Sequence, residues 1–309
     1  MDAGITVGDR RTGVPALVAA SVLWGTTGTA ASLLPPSVSP LAVGAATMTV
    51  GGLLLFAFSA RSAVRALRAR ASRPWLLLGA VGVVVYPLAF YSAMGLAGVA
   101  VGNVVSLGSG PVFAALFEWV WERRRPTSSW FACTLVAVLG IGLLAWSGAA
   151  ADSSRPAGVA LGLLAGLCYA LYTYASSRAI GRGGSARGVM GGLFGAGAVL
   201  LVPVLLLLGA PLLQSSATVA IGLYLAIGPM FVAYLFFGVG LRSIHSSRAT
   251  TITLIEPIVA TVLAVLVVGE RPSLGGWIGL ALVLGAVAVV ATARQPDESP
   301  SAPYHVGHG

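Results

Sequence analysis

Lysine is absent from this 309-residue chain, and all 18 basic residues are arginine. Charged residues of every kind make up only 9% of it, against roughly a quarter in soluble globular domains. That scarcity excludes a water-exposed surface over most of the molecule. Cysteine occurs twice, at Cys133 and Cys168, each inside an apolar stretch. A disulfide framework is therefore excluded, and both read as small buried apolar side chains. The three histidines are His245, between apolar stretches, and His305 and His308 in the tail. Beyond a weak His305-x-x-His308 pair no metal-ligand spacing arises, and neither a metal nor a cofactor is expected. No Gly-rich phosphate loop is present, and no connection is long enough to hold a nucleotide-binding domain, which excludes ATP-driven pumping. Missing lysine beside abundant Ala, Gly, Val and Leu is the composition expected of a GC-rich bacterial genome.

What the chain has is apolar length. It is 57% hydrophobic, with a mean hydropathy of +0.92. Ten stretches of about 20 residues, the length that spans roughly 30 Å of hydrocarbon, fall at 14–34, 38–58, 75–95, 100–121, 130–147, 157–177, 189–209, 217–240, 247–268 and 273–293. The +9 formal charge invites a nucleic-acid reading, but the arginines sit in short connections between lipid-length segments, where they meet headgroups. No nucleic-acid partner is expected; the lipid bilayer is. Sixteen arginines occupy every second gap: Arg10 and Arg11, Arg61 to Arg73, Arg123 to Arg125, Arg178 to Arg187, Arg242 and Arg248, and Arg294. The intervening gaps hold only Arg155 and Arg271, near Asp152 and Glu270. Arginine in short loops stays on the cytoplasmic side, so the expected protein is all-α and crosses a bacterial inner membrane ten times with both termini cytoplasmic.

The chain also repeats itself. Tyr91 to Ala93 with Pro111, followed by Arg125-Pro126 and Trp130, is matched at an offset of 146 by Phe237 to Val239 with Pro257, followed by Arg271-Pro272; the offset slips by one at Trp277. The expected organisation is a cytoplasmic tail (1–13), a five-helix repeat (14–147), an external linker (148–156), a second five-helix repeat (157–293) and a cytoplasmic disordered tail (294–309). Five is odd, so the second repeat inserts upside down relative to the first. The arginine bias of equivalent loops, rich around Arg123 and sparse around Arg271, agrees. Inverted repeats are a mark of secondary transporters that bind at the repeat interface near midplane.

The chain carries Leu23-Trp24-Gly25-Thr26-Thr27-Gly28, Leu254-Ile255-Glu256-Pro257, Gly269-Glu270-Arg271-Pro272 and Trp277-Ile278-Gly279, with a weaker first-repeat copy from Gly110-Pro111 to Arg125-Pro126. In these motifs and their order it resembles the drug/metabolite transporter superfamily, of the EamA type. The resemblance implies ten helices around a central cavity, alternating access, and export of amino acids, related small metabolites or drugs.

Glu256 is the sharpest candidate site residue. It is the tenth residue of its span, roughly 13 Å in from the end. A charged carboxylate there costs about 2.5–3.5 kcal/mol on insertion scales and should face a cavity or a partner, which suits proton coupling or recognition of a substrate amine. Trp24, Tyr86, Tyr91, Tyr169, Tyr172 and Tyr234 are candidates for a cavity wall, and Asn103, with Ser106 and Ser109, for a polar stripe. Pro87, Pro111, Pro229 and Pro257 are expected to break their helices around the site. Glu118 and Glu122, four residues apart on one face, are expected at an inner gate or in an interfacial salt-bridge cluster. The Gly158-x-x-x-Gly162-x-x-x-Gly166 and Gly275-x-x-x-Gly279 runs suit close helix packing within the chain more than a dimer; monomer and homodimer both stay open. The expected function is secondary active export of a small-molecule substrate, with protons as the candidate coupling ion and no enzymatic activity. An uncoupled facilitator and a lipid-linked substrate flippase are the alternatives.

Overall fold

A helix satisfies every backbone hydrogen bond within its own segment, so apolar stretches of this length have no other way to lie in lipid. The computed structural model describes residues 7–123, 128–149, 154–243, 252–253 and 255–292. The expected linker residues 150–153, the terminal residues 1–6 and 293–309 with His305 and His308, and Arg124, Arg125, His245, Arg248 and Arg294 lie outside the described residues. Ten helical segments follow. They are α1 (Val7–Gly25, continued by Thr27–Ser32), α2 (Pro40–Arg68), α3 (Arg73–Ala97), α4 (Val99–Glu122), α5 (Ser128–Ala149), α6 (Arg155–Gly181), α7 (Ala186–Leu208), α8 (Ser216–Leu225, Ala226–Val232 and Ala233–Ser243), α9 (Ile255–Leu263 and Ala264–Val268) and α10 (Leu274–Thr292). No strand occurs among the described residues. Seven segments are long and apolar enough to cross a membrane, and three shorter apolar ones, Phe131–Leu144, Ile255–Val268 and Leu274–Val289, complete the set. Large apolar side chains stand outward, Leu207 at 81% exposure and Leu274 at 78%, as lipid contact requires.

Helix starts are set by small polar caps. The Ser39 hydroxyl accepts from the Ala42 N–H at 3.2 Å ahead of Pro40, Ser185 does the same for Gly188, and Ser215 forms a reciprocal box with Thr218. The helices pair chiefly as α2 with α7, α3 with α6, α5 with α10, α4 with α6, α1 with α8 and α1 with α9. Advancing each number by five, cyclically over ten, returns the same set. The five-helix halves thus pack on each other through equivalent surfaces.

α5 crosses α10 glycine on glycine. A Cβ on Gly140 would lie 2.9 Å from the Gly279 carbonyl oxygen, and one on Gly279 would lie 2.7 Å from that of Gly140. The glycine stripe of α6 likewise runs against Ala97, Val105 and Ser109 of the first half. Both runs are used within the chain. Gly140→Leu is expected to force α5 and α10 apart, overpacking that costs about 1–3 kcal/mol; a lowered unfolding temperature in detergent would show it.

Two expectations for the prolines need correction. α3 and α4 run through Pro87 and Pro111 without interruption. The carbonyl of Pro87 lies where Gly44 of α2 presents no side chain, and packing of this kind holds a helix together despite the lost N–H. Pro229 does sit in a departure from α-helix, the π-helical turn Ala226–Val232. Pro257 lies in the first described turn of α9, and its carbonyl accepts from the Thr261 hydroxyl at 2.8 Å. A second π-helical turn, Ala264–Val268, ends α9 at Gly269, whose φ is +82°.

Candidate functional site

Aromatic residues scattered over 213 positions of sequence, from Trp24 to Phe237, meet between the two halves. Trp24 of α1 packs edge-on against Tyr234 of α8 (ring centroids 5.3 Å apart) and lies 5.4 Å from Phe237. Across the same interface Tyr169 of α6 packs 5.9 Å from Tyr86 of α3. These are equivalent helix pairs, so the aromatic contacts repeat with the fold. Tyr172 joins them: it contacts Tyr86, Tyr169 and Phe194, Phe194 lies 4.9 Å from Tyr234, and the hydroxyls of Tyr172 and Tyr234 hydrogen-bond at 3.3 Å. Edge-on pairs of this kind each add about 0.5–1.5 kcal/mol beyond burial, so the cluster also welds the halves together.

Glu256 faces this cluster from α9. Its carboxylate lies within electrostatic reach of Tyr86, Tyr169 and Tyr234. Its backbone carbonyl abuts Gly25, next to Trp24. No hydrogen bond or ion pair of the Glu256 side chain occurs among the described residues. Glu256, Trp24, Tyr86, Tyr169 and Tyr234 each keep part of their surface exposed, whereas Tyr172 is 4% exposed.

At the position equivalent to Glu256 the first repeat carries Gly110. A Cβ there would lie 2.9 Å from the Tyr169 ring. One half supplies an acid and the other leaves room for an aromatic ring, so the site is asymmetric within a symmetric frame.

Tyr91 is packed behind this cluster, 7% exposed, its ring on Phe90, which in turn stacks on Tyr86 at 5.4 Å. Asn103 is fully buried, and neither side-chain polar atom has a hydrogen-bond partner among the described residues. It lies seven residues before Gly110, roughly 10 Å along α4. Ser106 and Ser109 return their hydroxyls to the carbonyls of Gly102 and Ser106 and face the glycines of α6, as helix contacts. Sequence reasoning missed Phe194 and Phe237, which carry no signal apart from ordinary apolar residues of their helices.

At the arginine-bearing end Glu122 accepts from Arg178 Nη1 at 3.0 Å and from the Tyr174 hydroxyl at 3.1 Å. The Arg178 guanidinium lies 5.4 Å from the centre of the Trp75 ring, and that of Arg182 lies 4.8 Å from it. Glu118 lies within electrostatic reach of Tyr174. This is an ion-pair and aromatic cluster joining α4 to α6, with Arg178 as a partner of Glu122. Because Arg178 is 37% exposed, Arg178→Ala is expected to cost no more than about 1 kcal/mol of stability, read as a small shift in thermal unfolding. Trp121 and Trp277 are exposed near helix ends, at 51% and 45%, as interfacial aromatics are.

At the opposite end the Glu270 carboxylate, in the connection after α9, accepts from the backbone N–H groups of Val99 and Ala100, the latter at 3.2 Å. It caps α4 from the other half of the chain. Gly98, with φ +92°, makes the turn into α4, and a Cβ there would lie 3.0 Å from the same carboxylate.

Comparison with known proteins gives a consistent result. Residues 11–146 and 156–292 each match the model of the EamA-like transporter family. The chain is 33% identical over 292 residues to the uncharacterized transporter YwfM of Bacillus subtilis, covering 92% of this chain and 95% of that one. It is 30% identical over 255 residues to the threonine/homoserine exporter RhtA of Escherichia coli, covering 82% of each. A crystal structure 24% identical in sequence superposes with a TM-score of 0.61 over 92% of this chain and 97% of its own, and shares the fold.

Proposed function

The chain belongs to the EamA-like transporter family, and on that premise we propose that it is a secondary active transporter of the bacterial inner membrane. It exports amine-bearing small metabolites, amino acids and drugs among them, by alternating access. Its termini and arginine-bearing loops are cytoplasmic, and the second five-helix repeat is inverted relative to the first. The observation that carries this reading is Glu256, a mid-span carboxylate with no hydrogen bond or ion pair among the described residues, beside aromatic side chains drawn from both halves. Rocking of equivalent halves about such a site exposes it to each side in turn. A proton and a cationic substrate that compete for one carboxylate cannot cross together, and that competition is what turns a proton gradient into export. The threonine/homoserine exporter among the relatives supports a small amine-bearing cargo.

The experiment is flux in proteoliposomes. With threonine, homoserine and a panel of organic amines as radiolabelled cargo, an imposed pH gradient is expected to drive accumulation against the cargo's own gradient. Flux that only equilibrates the cargo at any pH gradient would mean an uncoupled facilitator.

A further inference from the structure

The outward side of α2 changes character within one turn at the arginine-bearing end of the bundle. As far as Phe58 it is apolar, with Leu53 41% and Phe58 51% exposed. Arg61 and Arg65 follow three and seven residues beyond Phe58, on the same side of the helix, and both are exposed. A recess of about 540 Å³ opens beside Ala60, Arg61, Val64 and Arg65. α2 is 29 residues long, about 43 Å at 1.5 Å per residue, against roughly 30 Å of hydrocarbon. Arg61 therefore stands at headgroup depth, and Phe58 one turn inside it.

Two other helices converge on Phe58. Phe231 of α8 packs edge-on against its ring at 6.2 Å. The Arg187 guanidinium of α7 lies 4.2 Å from the centre of the ring, and its Nη2 donates to the Phe58 carbonyl. Arg65 Nε donates to the Arg61 carbonyl at 3.4 Å. Arg187 and Arg65 each give one of five N–H donors to the backbone of α2, which fixes the guanidinium and leaves its other donors for a ligand. We propose that this face binds one anionic glycerophospholipid. Its phosphodiester is held by Arg61, Arg65 and Arg187, and its acyl chains lie along Phe58 and Leu53.

The repeat shows that the arginines are not a requirement of the helix itself. α2 and α7 start at equivalent places, capped by Ser39 and Ser185, which are 146 positions apart. At that offset Arg61 corresponds to Leu207, 81% exposed, and Arg65 to Pro211, past the end of α7 at Leu208. The same outward position thus meets lipid as leucine in one half and as arginine in the other. Topology alone asks for positive charge near a loop. It does not ask for a guanidinium from a second helix laid on an aromatic ring at the boundary between chains and headgroups. Guanidinium forks match phosphate oxygens in pairs. A zwitterionic lipid would bring its own ammonium among three guanidiniums, where like charges repel.

The test uses the purified full-length protein in detergent, with bound lipid counted by native mass spectrometry and thermal unfolding recorded beside it. The probes are dioleoylphosphatidylglycerol, dioleoylphosphatidylcholine and glycerol 3-phosphate, which carries the phosphate without chains. Wild type is expected to bind phosphatidylglycerol at least roughly tenfold more tightly than phosphatidylcholine, given the pull of each arginine on an anionic headgroup. An excess of glycerol 3-phosphate should leave the lipid in place. Arg61→Gln/Arg65→Gln should abolish the preference, and Arg187→Gln should reduce it. Arg70→Gln/Arg73→Gln, which removes the same charge at the junction of α2 and α3, should keep it. Absence of the preference in wild type overturns the proposal. So does an equal loss in both double variants, which would mean diffuse attraction to an arginine-rich surface. Displacement by glycerol 3-phosphate would replace the lipid with a soluble anion and overturns it too. Every one of these outcomes is read without flux and leaves the transport reading where it stands.

Discussion

Glu256→Gln is expected to abolish pH-gradient-driven accumulation while leaving the protein folded. Glutamine has the size of the acid and keeps a carbonyl oxygen, so the contacts of α9 with α1 and the aromatic cluster persist. What it loses is the ability to bind and release a proton and to hold a fixed negative charge. A group that must cycle between proton and substrate in every turnover cannot be replaced by one that never ionises, and removal of such a group in an active site costs on the order of 10²- to 10⁴-fold in rate. Downhill exchange of cargo in the absence of a gradient should also lose its pH dependence. The measurement is initial flux in proteoliposomes across external pH values, with the mutant's thermal unfolding recorded beside it. Wild-type flux and an unchanged pH profile in a folded Glu256→Gln would remove Glu256 from the mechanism.

The second large effect is expected at the opposite end. Glu270→Ala leaves two N–H groups at the start of α4 without an acceptor, at a helix terminus where the dipole already favours an anion. An unsatisfied buried donor costs about 1–3 kcal/mol, and here the loss also unties one half from the other. Thermal unfolding in detergent should fall clearly below wild type. Glu270→Gln, which keeps one acceptor oxygen, should restore part of the loss. Gly98→Ala should be destabilising by an independent route, since its φ of +92° is strained for any side chain and a Cβ would press on the same carboxylate. An unfolding temperature for Glu270→Ala equal to wild type would show that water serves α4 as well as the carboxylate does.

The arrangement of hydrophobic length and arginine made ten helices readable without coordinates, because lipid forces each apolar run to close its own hydrogen bonds. Glu256 was readable for a related reason: an acid in the middle of such a run is too costly to be incidental. Trp24, Tyr169 and Tyr234 were readable only as inward candidates, and nothing local linked Trp24 to Tyr234, 210 positions apart. Glu270 looked like a neighbour of Arg271 in a short loop. Its work as a cap on α4 depends on the close approach of two helices 171 residues apart in sequence. The prolines misled in the other direction. Pro87 and Pro111 suggest breaks by their local chemistry, whereas packing carries both helices through.

Composition and periodicity determined the class, the number of crossings, the internal repeat and the single mid-span acid, since each follows from local costs of burying backbone and charge in hydrocarbon. Tertiary structure alone decided that rings from α1, α3, α6 and α8 gather before that acid, that Tyr91 stands behind them through Phe90, and that Gly110 yields its place to Tyr169. Those are properties of how helix faces meet, and the face that a helix turns to its neighbour depends on close packing along its whole length rather than on any one residue.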